Sequence, residues 1–271
     1  MKNYFDLSGQ VAVVTGASTG LGLQMAKAFA NQGANVVLLA RRLNLLEENC
    51  KEIEAEFGVK ALPVACDITD TEKVKEAVAA VMAAFGRVDI LVNNAGTGGI
   101  TPAEDVPDEM FEKEFQIDLF GTFKCAREFG KEMIKAGYGR IINIASMYGL
   151  VGNMAAPSSP YHAAKGGVVN LTRALAAEWG KKGITVNAIC PGYFMTPLTK
   201  ATLETDWFAQ YAAGAIPVGR YGKEGELDTV ALFLASPCST YVNGQCVAVD
   251  ARIHLVAGGV GIDLERLGRL G

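Results

Sequence analysis

The sequence predicts an α/β fold, a single doubly wound parallel sheet of about seven strands with helices on both faces. Three observations carry this expectation. Seven short apolar runs alternate with longer stretches of helical periodicity. Most of the short runs are continuously apolar, as strands covered on both faces are. No linker-like composition breaks the rhythm, so residues 1–271 read as one domain.

The strands expected are "VAVVTG" (11–16), "NVVLLA" (35–40), "ALPVAC" (61–66), "DILVNNAG" (89–96), "GRIINIAS" (139–146), "ITVNAICPG" (184–192) and "QCVAVD" (245–250). Helical patterns lie between them at 22–33, 42–58, 69–86 and 162–180, and the pattern at 108–137 is interrupted at Gly121. Strand, helix, strand in this order implies right-handed crossovers. The segment at about 193–227 does not keep the rhythm and reads as an insertion that covers an active site.

Composition narrows the function classes. The 271 residues are half hydrophobic, enough for a large core, with net charge −4. No Lys/Arg-rich run appears, which argues against nucleic acid as a partner. The six cysteines are scattered, with no CxxC pair, and read as reduced thiols of a cytoplasmic protein. With only His162 and His254, no metal site is expected. The first residues lack the apolar core of a signal peptide, and no apolar run is long enough for a membrane span.

Two stretches carry chemistry. "VAVVTGASTGLG" sets Gly16, Gly20 and Gly22 between the first strand and the first helix. A helix start offers unpaired N–H groups and a positive dipole end, which suit a phosphate, and glycine permits close backbone approach. An ordinary tight turn is the plainer alternative. "SPYHAAKGG" sets Tyr161 and Lys165 four apart, on one helix face. In a cleft the ammonium would favour phenolate and lower the phenol's pKa towards neutrality. A surface contact without chemistry is the alternative here.

The spacing TGxxxGxG at 15–22 resembles the classical short-chain dehydrogenase/reductase family. Further matches fall in order: Asp67 in "CDITD", "NNAG" at 93–96, Ser146 in "SMYG", Tyr161 and Lys165 in "YHAAK", and "PG" at 191–192. The resemblance spans about residues 7 to 250 and implies a Rossmann-type fold. It implies that Tyr161 is the general acid/base, that Lys165 lowers its pKa and bonds the nicotinamide ribose, and that Ser146 polarises the substrate oxygen. It implies coenzyme contacts from Gly16, Ser18, Thr19, Gly20, Leu21, Gly22, Asp67, Ile68, Asn93, Ala95, Gly96, Pro191, Gly192 and Thr196, besides Tyr161 and Lys165. Two positions depart from the family pattern. Asp118 stands where the family has a catalytic asparagine, and an ionised carboxylate accepts hydrogen bonds without donating any. "VDAR" at 249–252 replaces the usual "VDGG".

The second strand ends on Ala40, where an NAD site would hold an acid, and Arg41 and Arg42 follow. Guanidinium groups pair with a 2′-phosphate, so NADP(H) is favoured over NAD(H). Within the family the chain resembles the gluconate 5-dehydrogenase-like subgroup, on "PGYF…T…TKA", "P-x-x-R-x-G" and "YVNGQ". This implies a small-molecule sugar acid or polyol, with Lys200 and Arg220 as candidate cations. The apolar set at the site, which includes Tyr148, Tyr193, Met154 and Phe208, suits a hydroxysteroid or bile acid equally. Tyr148 and Tyr193 join Ser146 and Tyr161 as expected substrate contacts. The resemblance also implies a homotetramer pairing the helices at 108–137 and 162–180. A rival reading is a catalytically weak coenzyme-binding regulatory or scaffold protein of the same fold.

Overall fold

The computed structural model describes residues 3–153, 157–197 and 199–253. All seven expected strands form: β1 (Val11–Thr15), β2 (Asn35–Ala40), β3 (Ala61–Ala65), β4 (Ile90–Asn93), β5 (Gly139–Ile144), β6 (Ile184–Pro191) and β7 (Cys246–Val249). They make one sheet in the order β3-β2-β1-β4-β5-β6-β7, with every neighbouring pair parallel. Chain order reverses between β1 and β4, which opens a crevice at the carboxyl ends of the strands.

The helices are α1 (Gly20–Asn31), α2 (Leu43–Phe57), α3 (Thr71–Phe85), α4 (Asp108–Glu114), α5 (Thr122–Ala136), α6 (Ser159–Trp179), α7 (Lys200–Leu203), α8 (Asp206–Ala215) and α9 (Asp228–Ala235). Successive strand residues point to opposite faces, so each strand feeds two cores. Val14, Leu38, Val92 and Ile142 pack with Met25 and Phe29 of α1, Leu46 and Ile53 of α2, and Leu234 of α9. Val13, Val37, Leu91 and Ile141 pack with Val74 of α3, Phe129 and Met133 of α5, and Trp179 of α6. The runs of the inner strands β1, β4, β5 and β6 are thus buried on both sides, while the edge strands β3 and β7 are only partly buried.

The interruption expected at Gly121 is a wide π-helical segment over Phe115–Gly121 that joins α4 to α5. A Cβ on Gly121 would lie 2.6 Å from Ile68 Cδ1, and one on Gly167 would lie 2.8 Å from Leu119 Cδ2. Small residues let this segment press on its neighbours, and it holds Asp118 fully buried. The 193–227 segment folds as α7 and α8 around its own core of Leu203, Phe208, Ala212 and Ile216. No described helix is long and apolar enough to cross a membrane.

Candidate active site

The turn after β1 forms an anion cradle. Gly16 and Gly20 have φ of +65° and +64°, the left-handed region that costs a residue with a Cβ about 1–2 kcal/mol. A Cβ at Gly16 would also lie 2.8 Å from Ala95 Cα. Gly22 has no room either, since its Cβ would meet Gly16 O at 2.7 Å. Thr19 holds the cap position of α1, yet its side chain makes no capping bond, and the first turn holds no acid. The amides at this helix start are therefore free for a phosphate.

A cavity of about 750 Å³ opens beside this turn, lined by Gly16, Ser18, Thr19, Arg41, Arg42, Asp67, Ile68, Ala95 and Gly96. Arg42 Nη2 donates to Ser18 Oγ at 2.8 Å, which holds one guanidinium against the glycine turn. Asp67 accepts from the Thr69 amide at 2.9 Å and the Thr69 hydroxyl at 2.8 Å. The Thr69 amide bond holds the Asp67 carboxyl below the usual range despite partial burial, with help from the Thr69 hydroxyl and Arg41. These residues fit a dinucleotide whose adenosine end carries extra negative charge.

The side chain of one expected coenzyme contact, Asn93, turns into the sheet. Asn93 lines neither this cavity nor the one beside Tyr161. It is the last residue of β4, in register with Asn143, and its Nδ2 donates to Asn143 Oδ1 at 2.9 Å inside the sheet. Asn94, the next residue, lines both cavities. Its side chain donates to the carbonyls of Thr15 and Gly16 at 3.0 and 3.3 Å and pins the glycine turn to β4. Alternation along a strand gives adjacent residues opposite faces, so a one-residue step exchanges these roles.

A second cavity, of about 250 Å³, lies across the same crevice. Ser146, Tyr161, Lys165 and Asp118 meet there, with Gly20, Leu21, Pro191, Gly192 and Thr196 on its wall. Ser146 follows β5 and its Oγ accepts from the Tyr148 amide at 3.1 Å. Tyr161 and Lys165 share one face of α6, and the ammonium lies 5.6 Å from the centre of the phenol ring. Lys165 Nζ donates to Ile144 O at 3.0 Å and pairs with Asp118 Oδ1 at 2.9 Å. Burial depresses the Lys165 ammonium most; the charge and hydrogen bond of Asp118, with the Tyr161 phenol, together outweigh it and hold the pKa above its ordinary value.

The loop after β4 frames this group residue by residue. A Cβ on Gly96 would sit 2.5 Å from Asp118 Oδ1 and 3.3 Å from Lys165 Nζ. Thr97 N donates to the Asp118 carboxylate at 3.2 Å. Gly98 faces the Tyr161 ring, and a Cβ on Gly99 would lie 3.3 Å from Glu114 Oε1. Glu114 is buried one turn before Asp118, and sequence reasoning missed it.

The expected substrate contacts divide. The hydroxyls of Tyr148 and Tyr193 are 2.5 Å apart, and Asn153 Nδ2 donates to Tyr148 at 2.7 Å. Burial pushes the Tyr148 phenol up to about 12 and raises that of Tyr193, so both stay neutral. Much of the apolar set closes the insertion on itself: Phe208 is buried and its ring packs on Tyr193. Arg220 is held by Glu226 through bonds of 2.8 Å to each oxygen, and Lys200 pairs with Glu204 at 3.8 Å. Neither lines the Tyr161 cavity. Met154 and His254 lie outside the described residues.

A crevice with a phosphate cradle at one end and a Ser, Tyr, Lys set at the other defines a dinucleotide-dependent oxidoreductase. Comparison with known proteins gives the family. Residues 16–254 match the family model described as Enoyl-(Acyl carrier protein) reductase. The chain is 38% identical over 250 residues to gluconate 5-dehydrogenase of Gluconobacter oxydans (strain 621H), covering 92% of this chain and 96% of that one. It is 38% identical over 249 residues to galactitol 2-dehydrogenase (L-tagatose-forming) of Cereibacter sphaeroides, again covering 92% and 96%. The structure of a gluconate 5-dehydrogenase from Burkholderia cenocepacia J2315, in complex with NADP and tartrate, superposes with TM-score 0.89 at 33% identity, covering 94% of this chain and 98% of that one. The chain belongs to the short-chain dehydrogenase/reductase family.

Proposed function

We propose that the protein interconverts a secondary alcohol and a ketone with NADP(H), on a sugar acid or polyol. NAD(H) is the second choice of coenzyme. The observation that carries this reading is the joining of Ser146, Tyr161, Lys165 and Asp118 in one cavity continuous with an uncapped helix start. Arg41 and Arg42 beside the adenosine-side cavity, with no acid at Ala40, favour the 2′-phosphate. The gluconate 5-dehydrogenase with bound NADP lends further support.

In this reading Tyr161 gives a proton to the carbonyl oxygen during reduction and takes one from the alcohol during oxidation. Ser146 donates to the same oxygen and fixes its position. Lys165 stabilises the phenolate and bonds the ribose, and Asp118 holds Lys165 in place. A nicotinamide dinucleotide supplies or accepts the hydride. The wall beside Tyr161 includes Asn94, Thr97, Thr196 and Thr199, a polar set suited to hydroxyl groups. A hydroxysteroid has less support, because Phe208 and Leu203 are spent inside the insertion.

We read residues 1–271 as one domain whose 193–227 segment covers the substrate. Six free cysteines favour a cytoplasmic setting. Phe111, Phe120 and Phe123 stay 37–44% exposed along α4 and α5, and support pairing of this face with a second copy in a homotetramer. Turnover tested with NADP(H) and NAD(H) across polyols, sugar acids and hydroxysteroids decides the substrate. Turnover of polyols or sugar acids with NADP(H) supports the reading. Coenzyme binding without turnover of any class would replace it by the scaffold alternative.

A further inference from the structure

Asp118 and Glu114 both project into the interior from the junction of α4 and the π-helical segment, and they are 0% and 3% exposed. They lie one turn apart, so they share a face. Lys165 is shared by both, and Lys113 of the same helix acts on Glu114 from outside. Asp118 is fully engaged, by Lys165 and by the Thr97 amide. Glu114 accepts a backbone bond from Gly99, while its Oε2 is buried with no partner among the described residues. An ionised carboxylate with one orphaned oxygen in such a place is costly. A carboxylic acid there is not, because the row of three groups is then electrically neutral.

We propose that Glu114 is a positioning residue that retains a proton at neutral pH, so that the buried row Lys165–Asp118–Glu114 is neutral and the lysine's charge acts on Tyr161 undiminished by a second anion. This rests on the proposed role of Tyr161, though its first test does not depend on turnover. The groups facing Glu114 are few. Asp118 comes from the π segment, Lys165 from α6, and Lys113 from its own helix; the loop after β4 offers the Gly99 backbone. Burial and then the Asp118 charge push the Glu114 carboxyl up; the Gly99 bond, Lys113 and Lys165 oppose this with less effect. Release of the proton as pH rises places a negative charge near the ammonium and weakens its hold on the phenolate. Only ionised Glu114 thus resists the ionisation of Tyr161 that alcohol oxidation requires. The loop explains how position follows charge. Gly98 touches Tyr161 and Gly99 touches Glu114, so one short backbone stretch spans both.

Infrared difference spectroscopy of the full chain in H₂O and D₂O at neutral pH tests the protonation directly. The wild type is expected to show the C=O band of an un-ionised carboxylic acid. Glu114→Gln is expected to lose it, and Glu109→Gln, at an exposed position of the same helix, to keep it. Absence of the band from wild type, or its persistence in Glu114→Gln, overturns the proposal. The wild-type spectrum suffices should the variant fold poorly. The pH profile of kcat for alcohol oxidation tests the coupling. Wild type is expected to show an acid-side, rising limb drawn out by two interacting groups. Glu114→Gln sharpens that limb to one ionisation and moves it to lower pH by about half a unit or more. Superimposable limbs overturn the positioning role, whereas total loss of turnover in wild type bears on the proposed function alone.

Discussion

Lys165 Nζ and Asp118 Oδ1 are 2.9 Å apart, and neither side chain is more than 5% exposed. Each is the other's answer to burial. Replacing Asp118 by alanine leaves a buried ammonium without a counter-charge, and should destabilise the fold by about 3–5 kcal/mol. Asp118→Asn keeps the shape and an acceptor for the Thr97 amide while removing the charge. The apparent pKa on the acid-side, rising limb of alcohol oxidation should then fall, because the lysine's charge acts on Tyr161 without offset. Urea unfolding and a pH–rate profile check the two variants.

Coenzyme choice is expected to rest on the arginines at the end of β2. Arg41→Asp should raise the Kd for NADPH by roughly tenfold to a hundredfold, the worth of a charge-assisted bond, and leave NADH binding nearly intact. Fluorescence titration of the two reduced coenzymes measures the ratio. An equal loss for both would point to damage of the glycine turn instead.

Ala251 and Arg252 have φ of +54° and +69°, and among the described residues they are the only non-glycines in the left-handed region. They occupy "VDAR", where the family resemblance expects two glycines. The backbone at both positions takes a conformation that glycine adopts at less cost. Ala251→Gly should therefore stabilise the fold by about 0.5–1 kcal/mol, the strain relieved less the entropy glycine adds to the unfolded chain. Thermal unfolding reads this as a rise in Tm.

Asp228 begins α9 and accepts from Gln24 Nε2 at 3.0 Å. Burial pushes its carboxyl up to about 6, with the Gln24 bond opposing. The folded-state value lies above the unfolded value of about 3.9, so the folded state binds more protons between the two. This group's contribution therefore strengthens as pH falls from about 6 to about 4, and is lost as pH rises through about 6. Asp228→Asn should stabilise the protein at neutral pH by about 1 kcal/mol, discounted for partial exposure, with the gain vanishing near pH ~4. Denaturation midpoints across that range follow the trend.

Strands and the glycine turn were legible in the sequence because both are short-range signals. Continuous apolar runs demand burial on two faces, and β1 to β6 lie where those runs lie. The Tyr161–Lys165 spacing announces a shared helix face by itself. Glu114 was not legible, since an acid in "DEMFEKEF" looks like any solvated helix charge until the tertiary fold covers it. Which way the Asn93 and Asn94 side chains turn depends on one residue of strand parity, which the sequence does not fix. Arg220 looked free for a carboxylate because its partner Glu226, six residues on, meets it only through the local loop. The aromatic residues of the insertion suggested a ligand wall, yet hydrophobicity does not say whether a ring faces a substrate or its own lid.

The most direct test of the account is Tyr161→Phe, assayed for turnover and for NADPH binding side by side. We expect kcat to fall by about 10²–10⁴-fold with the coenzyme Kd nearly unchanged. Turnover at the wild-type rate on a substrate the wild type accepts would contradict the assignment of the proton to this phenol.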